Sequence, residues 1–65
     1  MKFASDRLKD LRESNGYTQE YVAEQSGLSR QQYMQLEKGK HTPRLETINS
    51  LAKVFNVPGK FFIEE

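Results

Sequence analysis

The 65-residue chain is one small domain, near the lower size at which a single core holds a fold, with about 60% of its unfolded surface available for burial. The absence of cysteine excludes a disulfide framework and a thiolate metal site, and it suits a reducing interior. The net charge of +1 says little as a total, no apolar run approaches the roughly 20 residues of a membrane span, and MKFASDRLKD has no apolar signal core, so the expectation is a cytoplasmic protein without membrane contact.

Gly16, Gly27, Gly39, Pro43 and Pro58-Gly59 divide the chain into short segments, none with sustained strand alternation. The first, SDRLKDLRESNG, sets Leu8 and Leu11 at helical spacing, with Phe3 and Ala4 behind them. Ser5 reads as its N-cap, and Asn15-Gly16 as its stop. The second, TQEYVAEQSG, opens on Thr18 as N-cap and turns Val22 and Ala23 inward. The third opens on Ser29 and runs to about Lys38. Gly27, Leu28 and the cap are all that separate these two helices, which forces a sharp turn of the helix-turn-helix kind. The fourth segment, LETINSLAKVFN, places Leu45, Ile48, Leu51, Ala52 and Phe55 on one stripe. The last, VPGKFFIEE, is short and bulky. The expectation is an all-α, compact five-helix bundle forming one domain over residues 1–65, with its helix-turn-helix at about 18–38.

The third segment, SRQQYMQLEKGK, carries three glutamines and an arginine. With Tyr33 at the centre of the buried face, Ser29, Leu36 and Glu37 fall within roughly 60° of it. Gln31, Gln35 and Lys38 fall more than about 130° away, and Arg30, Gln32 and Met34 lie on the flanks. Glutamine can bond adenine N6 and N7 in a bidentate way, arginine can bond guanine O6 and N7, and an α-helix fits the major groove. Thr18 and Gln19, together with Lys38-Gly39-Lys40, are placed to hold phosphates. The plainer reading, glutamine as a solvated helix former, fits any one of these residues better than it fits the cluster. From Leu28 to Arg44 four cations face one carboxylate, a net of +3, while the other 48 positions carry six positives and eight negatives. Such a block suggests a local polyanion contact; a solvated loop is the alternative.

The string LKDLRESNGYTQEYVAEQSGLSRQQYMQLEKGKHTPRLETINSLAKVFNVP, nearly the whole chain and without a gap, resembles the Xre family of Cro and phage-repressor-type (lambda repressor-like) helix-turn-helix domains. The resemblance rests on Leu11-Arg12 before Asn15-Gly16, Thr18-Gln19, Ala23, Gly27, Ser29-Arg30, Glu37 with Gly39, Pro43, Leu45-Glu46-Thr47 and Leu51-Ala52. It implies base reading by Arg30, Gln31 and Gln35, with Ser29, Gln32 and Met34 as additions. It implies phosphate contacts from Gln19, Lys38 and Lys40. It also implies a structural ion pair between Arg12 and Glu37, and the wheel independently turns Glu37 inward, where a lone carboxylate is costly. Two positions depart from the family: Arg44 stands where a small capping residue is usual, and Met34 where a polar one is. Tyr21 reads as exposed.

The resemblance further implies a dimer built on the C-terminal end, with Phe61, Phe62 and Ile63 as candidate contacts and half-sites about 34 Å apart on the DNA. The same residues could instead pack within one chain, or the ending could be the linker-proximal part of a larger regulator. The function expected is a sequence-specific double-stranded DNA-binding transcriptional repressor acting as a homodimer on a palindromic operator. The alternative is an antitoxin- or immunity-type module with a regulatory protein partner, using Met34, Tyr21 and the FFI tail. No cofactor or metal is implied. An enzyme is not expected: His41 stands beside Thr42 with no metal-like cluster, and Asp6 and Asp10 read as a solvated helix face.

Overall fold

The computed structural model describes residues 2–65. Four α-helices form where the periodicity places them: α1 (Ser5–Ser14), α2 (Gln19–Gln25), α3 (Arg30–Glu37) and α4 (Leu45–Phe55). Thr18 accepts a hydrogen bond from the Tyr21 N–H (3.0 Å), starting α2. Ser29 and Gln32 close a reciprocal capping box at α3: the Gln32 N–H donates to Ser29 Oγ (3.1 Å), and the Ser29 N–H donates to Gln32 Oε1 (2.9 Å). In the turn between α2 and α3, Gly27 has φ 76°, and the Leu28 N–H reaches back to the Ala23 carbonyl (2.9 Å). That left-handed closure is cheap for glycine and satisfies the orphan carbonyls at the end of α2. α4 ends the same way with Asn56, at φ 56°, as the left-handed residue.

Three expectations need correction. Ser5 is the first residue of α1, not its cap; the cap position is Ala4, which gives no side-chain hydrogen bond. The bundle has four α-helices, not five. After Pro58 the chain makes one 3₁₀ turn, Gly59–Phe62, and then a two-residue strand β2 (Ile63–Glu64) pairs antiparallel with β1 (Lys2–Phe3). Four residues between a proline and the β-branched Ile63 are too few for a stable α-helix, and a partner strand from the chain start takes over. Leu45 is 71% exposed, although it lies on the same stripe as the buried Ile48, Leu51, Ala52 and Phe55. It stands in the first turn of α4, at the edge of the body, where the stripe continues and its cover does not. Arg44 caps α4 with no side-chain hydrogen bond.

α2 packs on α3 and α4, α1 packs on α3, and the 3₁₀ turn closes over α1 and α4. Leu8, Val22, Tyr33, Leu51 and Phe62 are wholly buried at the centre. Phe62 lies among Phe3, Phe55 and Phe61, with ring centroids 5.4–6.5 Å away. Ala23 keeps α2 close to α3, and α3 is thereby held across the molecule with one face outward.

Candidate nucleic-acid interface

α3 is fixed at both ends. The capping box sets its first turn. At its last turn, Glu37 turns inward, with its side chain 4% exposed. Arg12 grips this carboxylate bidentately, Nε to Oε2 at 2.6 Å and Nη2 to Oε1 at 3.2 Å. The Tyr33 hydroxyl donates to Oε2 and Gln19 Nε2 to Oε1 (3.1 Å), while Arg12 Nη1 donates to the Tyr17 carbonyl (3.0 Å). Burial by itself pushes the Glu37 carboxyl up, but the hydrogen bonds from Arg12, Tyr33 and Gln19 outweigh it and hold the group below its ordinary value. Glu37 in turn raises Arg12, and burial raises the Tyr33 phenol. The network ties α1, the start of α2 and the end of α3 to one carboxylate. Among the described residues no buried side-chain polar atom lacks a partner.

The opposite face of α3 is unengaged. Arg30, Gln31, Met34, Gln35 and Lys38 line one shallow surface depression. Arg30, Gln31 and Lys38 are exposed, and Met34 and Gln35 are half-buried. Lys40 is exposed in the loop beyond. Among the described residues the ion pairs involve Arg12 and no other cation, so Arg30, Lys38, Lys40 and Arg44 have no carboxylate partner. Within this depression two cations, Arg30 and Lys38, flank the amides of Gln31 and Gln35, and no carboxylate lines it.

Other predicted site residues are placed differently. Ser29 Oγ and Gln32 Oε1 each accept the other residue's backbone N–H in the capping box, leaving the Gln32 amide nitrogen for an outside acceptor. Thr18 Oγ1 caps α2, and the Gln19 amide is turned toward Glu37. Phe62 is 0% exposed and cannot touch a partner, so it is corrected from contact to core; Phe61 is 37% exposed and Ile63 half-buried. Residues to which sequence reasoning gave no individual contact also emerge. His41, Pro43 and Arg44 form one wall of a cleft of about 390 Å³ beside α3, with Leu28, Gln32 and Leu36 opposite. The basic block from 28 to 44 was the signal for it. Arg7 donates to the carbonyls of Phe61 (3.1 Å) and Ile63 (3.5 Å), which no local pattern announces.

A helix-turn-helix family model (HTH_3) matches residues 8–62. The chain is 41% identical over 54 residues to the cryptic phage CTXphi transcriptional repressor RstR of Vibrio cholerae, a match covering 83% of this chain and 49% of that protein. It is 37% identical over 59 residues to the SPbeta prophage-derived HTH-type transcriptional regulator YonR of Bacillus subtilis, covering 91% of this chain and 55% of that one. The chain thus spans about half the length of these relatives. Among solved structures, the restriction-modification controller protein C.AhdI from Aeromonas hydrophila superposes with a TM-score of 0.86 at 30% identity, covering 91% of this chain and 89% of that one.

Proposed function

The chain belongs to the helix-turn-helix family of transcriptional regulators, and from that premise we propose that it binds double-stranded DNA sequence-specifically with α3 in the major groove. Gln31, Gln35 and Arg30 read base edges; Lys38 and Lys40 meet phosphates, with the cap of α2 at Thr18 facing the backbone, while Gln19, whose amide donates to Glu37, supports them from the buried network instead of through a phosphate contact of its own. Ser29 and Gln32 act mainly by fixing the first turn of α3, with the Gln32 amide nitrogen as a further donor to the groove. The Arg12–Glu37 pair is structural, locking the angle at which the reading face is presented. Two copies join through the C-terminal end, now carried by Phe61 and Ile63, and occupy a palindromic operator as a cytoplasmic repressor.

One observation carries this reading. The inward carboxylate of α3, Glu37, is fully hydrogen-bonded, while the outward face carries two amides and, among the described residues, cations without ion-pair partners. Selection from random duplex DNA at about 150 mM salt, near physiological ionic strength, tests it. Enrichment of a palindrome with half-sites one helical turn apart is expected. No enrichment at any protein concentration would defeat the reading.

A further inference from the structure

The exposed Leu45 belongs to a feature that DNA binding does not use. Between the first turn of α4 and the paired chain ends lies a groove of about 410 Å³, lined by Phe3, Pro43, Leu45, Ile48 and Ile63. Thr42 and Asn49 add polar groups that can orient an occupant. The size, the apolar lining and the few polar groups are those of a site that takes one or two side chains. Its charges are lysines: the exposed Lys2 and Lys60 line it, no carboxylate does, and among the described residues neither lysine has an ion-pair partner. An apolar lining that includes two lysines and no carboxylate complements an apolar side chain flanked by carboxylates.

We propose that this groove docks a partner-protein segment of that chemistry, acidic residues flanking leucine-like side chains, and that its occupation weakens DNA binding. The coupling follows from the wall. Thr42 and Pro43 line this groove and also the cleft beside α3. They stand between Lys40 and Arg44, two of the unpaired cations around α3. An occupant leaning on Thr42-Pro43 brings carboxylates toward that segment and displaces its cations from phosphates. This second half rests on the DNA-binding reading above; the docking half does not.

Amide chemical shifts of the whole chain, titrated with the peptide acetyl-EELLEE-amide, test docking without DNA. Saturable shifts are expected at Thr42, Leu45, Asn49 and Lys60, with none from acetyl-EESSEE-amide or acetyl-KKLLKK-amide. Leu45→Asp is expected to abolish them, and Lys60→Glu to weaken binding about tenfold. Leu45 is mostly solvent-exposed, so the rest of the Leu45→Asp spectrum checks that the fold is kept. The proposal is overturned by no shifts at millimolar peptide, by equal shifts from EESSEE, by shifts centred on Tyr21 or Phe61, or by the same shifts arising from protein concentration alone, which would make a second copy the occupant. With the selected operator, EELLEE is expected to reduce affinity at least threefold for the wild type and not for Leu45→Asp. Docking without that loss removes the coupling. Failure of the peptide-free protein to bind any duplex would instead remove the DNA reading and leave docking standing.

Discussion

The two halves of the molecule are held by different forces. Around α3 the fixing is polar: a capping box and one buried carboxylate with four side-chain donors. At the chain ends it is apolar and backbone-made. Phe62 fills the core, β1 pairs with β2, the Ala4 N–H bonds the Phe62 carbonyl (2.7 Å), and Arg7 pins Phe61 and Ile63. Hydrogen bonds are directional and set angles; burial is not directional and gives net stability. The half around α3 therefore fixes a helix angle with side-chain hydrogen bonds to one carboxylate, and the half at the chain ends combines burial of Phe62 with backbone pairing to hold a 65-residue chain together.

The largest expected effect lies in the apolar half. Phe62→Ala removes a wholly buried ring and should cost about 3–5 kcal/mol. Against a total of roughly 5–15 kcal/mol, that leaves a domain this small close to unfolded. Phe61→Ala, next door but 37% exposed, should cost less than about 1 kcal/mol. Urea unfolding of both variants measures the gap, and equal losses would break the distinction drawn between core and surface at the C-terminal end.

Next comes the carboxylate. Glu37→Ala leaves the Arg12 guanidinium mostly buried and without its partner, at a cost of about 3 kcal/mol. Replacing both, Arg12→Met with Glu37→Leu, should cost less than either single change, because no orphan charge remains. A double variant as unstable as the sum of the singles would show that the pair is not what fixes α3. The pH dependence has a definite sign. Glu37 is held below its ordinary value in the fold, so its contribution is complete above the unfolded carboxylate value of about 4.3 and is lost as pH falls through the folded one. The wild type should therefore lose stability in acid that Glu37→Gln has already lost.

These two regions were not equally legible in the sequence. Thr18, Ser29 and the glycine stops act within five residues of where they stand, so local pattern locates them. Glu37 was readable at one remove, because a helical wheel shows which way a residue points before it shows what it meets. The chain ends were opaque for the converse reason. Arg7 bonds carbonyls 54 and 56 residues away, and β1 exists because β2 lies beside it. Nothing in FFIEE says that its second phenylalanine turns in and its first turns out. Leu45 shows the limit of periodicity itself: a stripe fixes direction along a helix but not where the neighbouring body ends.

Smaller effects belong to the outward face of α3 and the loop after it. Gln31→Ala leaves the buried network untouched, so stability should hold within about 0.5 kcal/mol. Binding to the selected operator should weaken by about 1–3 kcal/mol, and discrimination should relax at one base position. Equal loss on selected and random duplex would take base reading away from Gln31.

Lys40→Ala separates holding from reading. The lysine is exposed, lies beyond the end of α3 and has no ion-pair partner among the described residues, so its removal disturbs neither core nor network. A phosphate contact carries no sequence information but releases a condensed counterion when it forms. Its loss should lower affinity for selected and random DNA alike and flatten the slope of log affinity against log salt by about one unit. The ratio of the two affinities, which the proposed reading assigns to the outward glutamines, should stay where it was. If that ratio changes while the slope does not, Lys40 reads rather than holds, and the segment from Lys40 to Arg44 belongs to the polar, angle-setting half of the molecule.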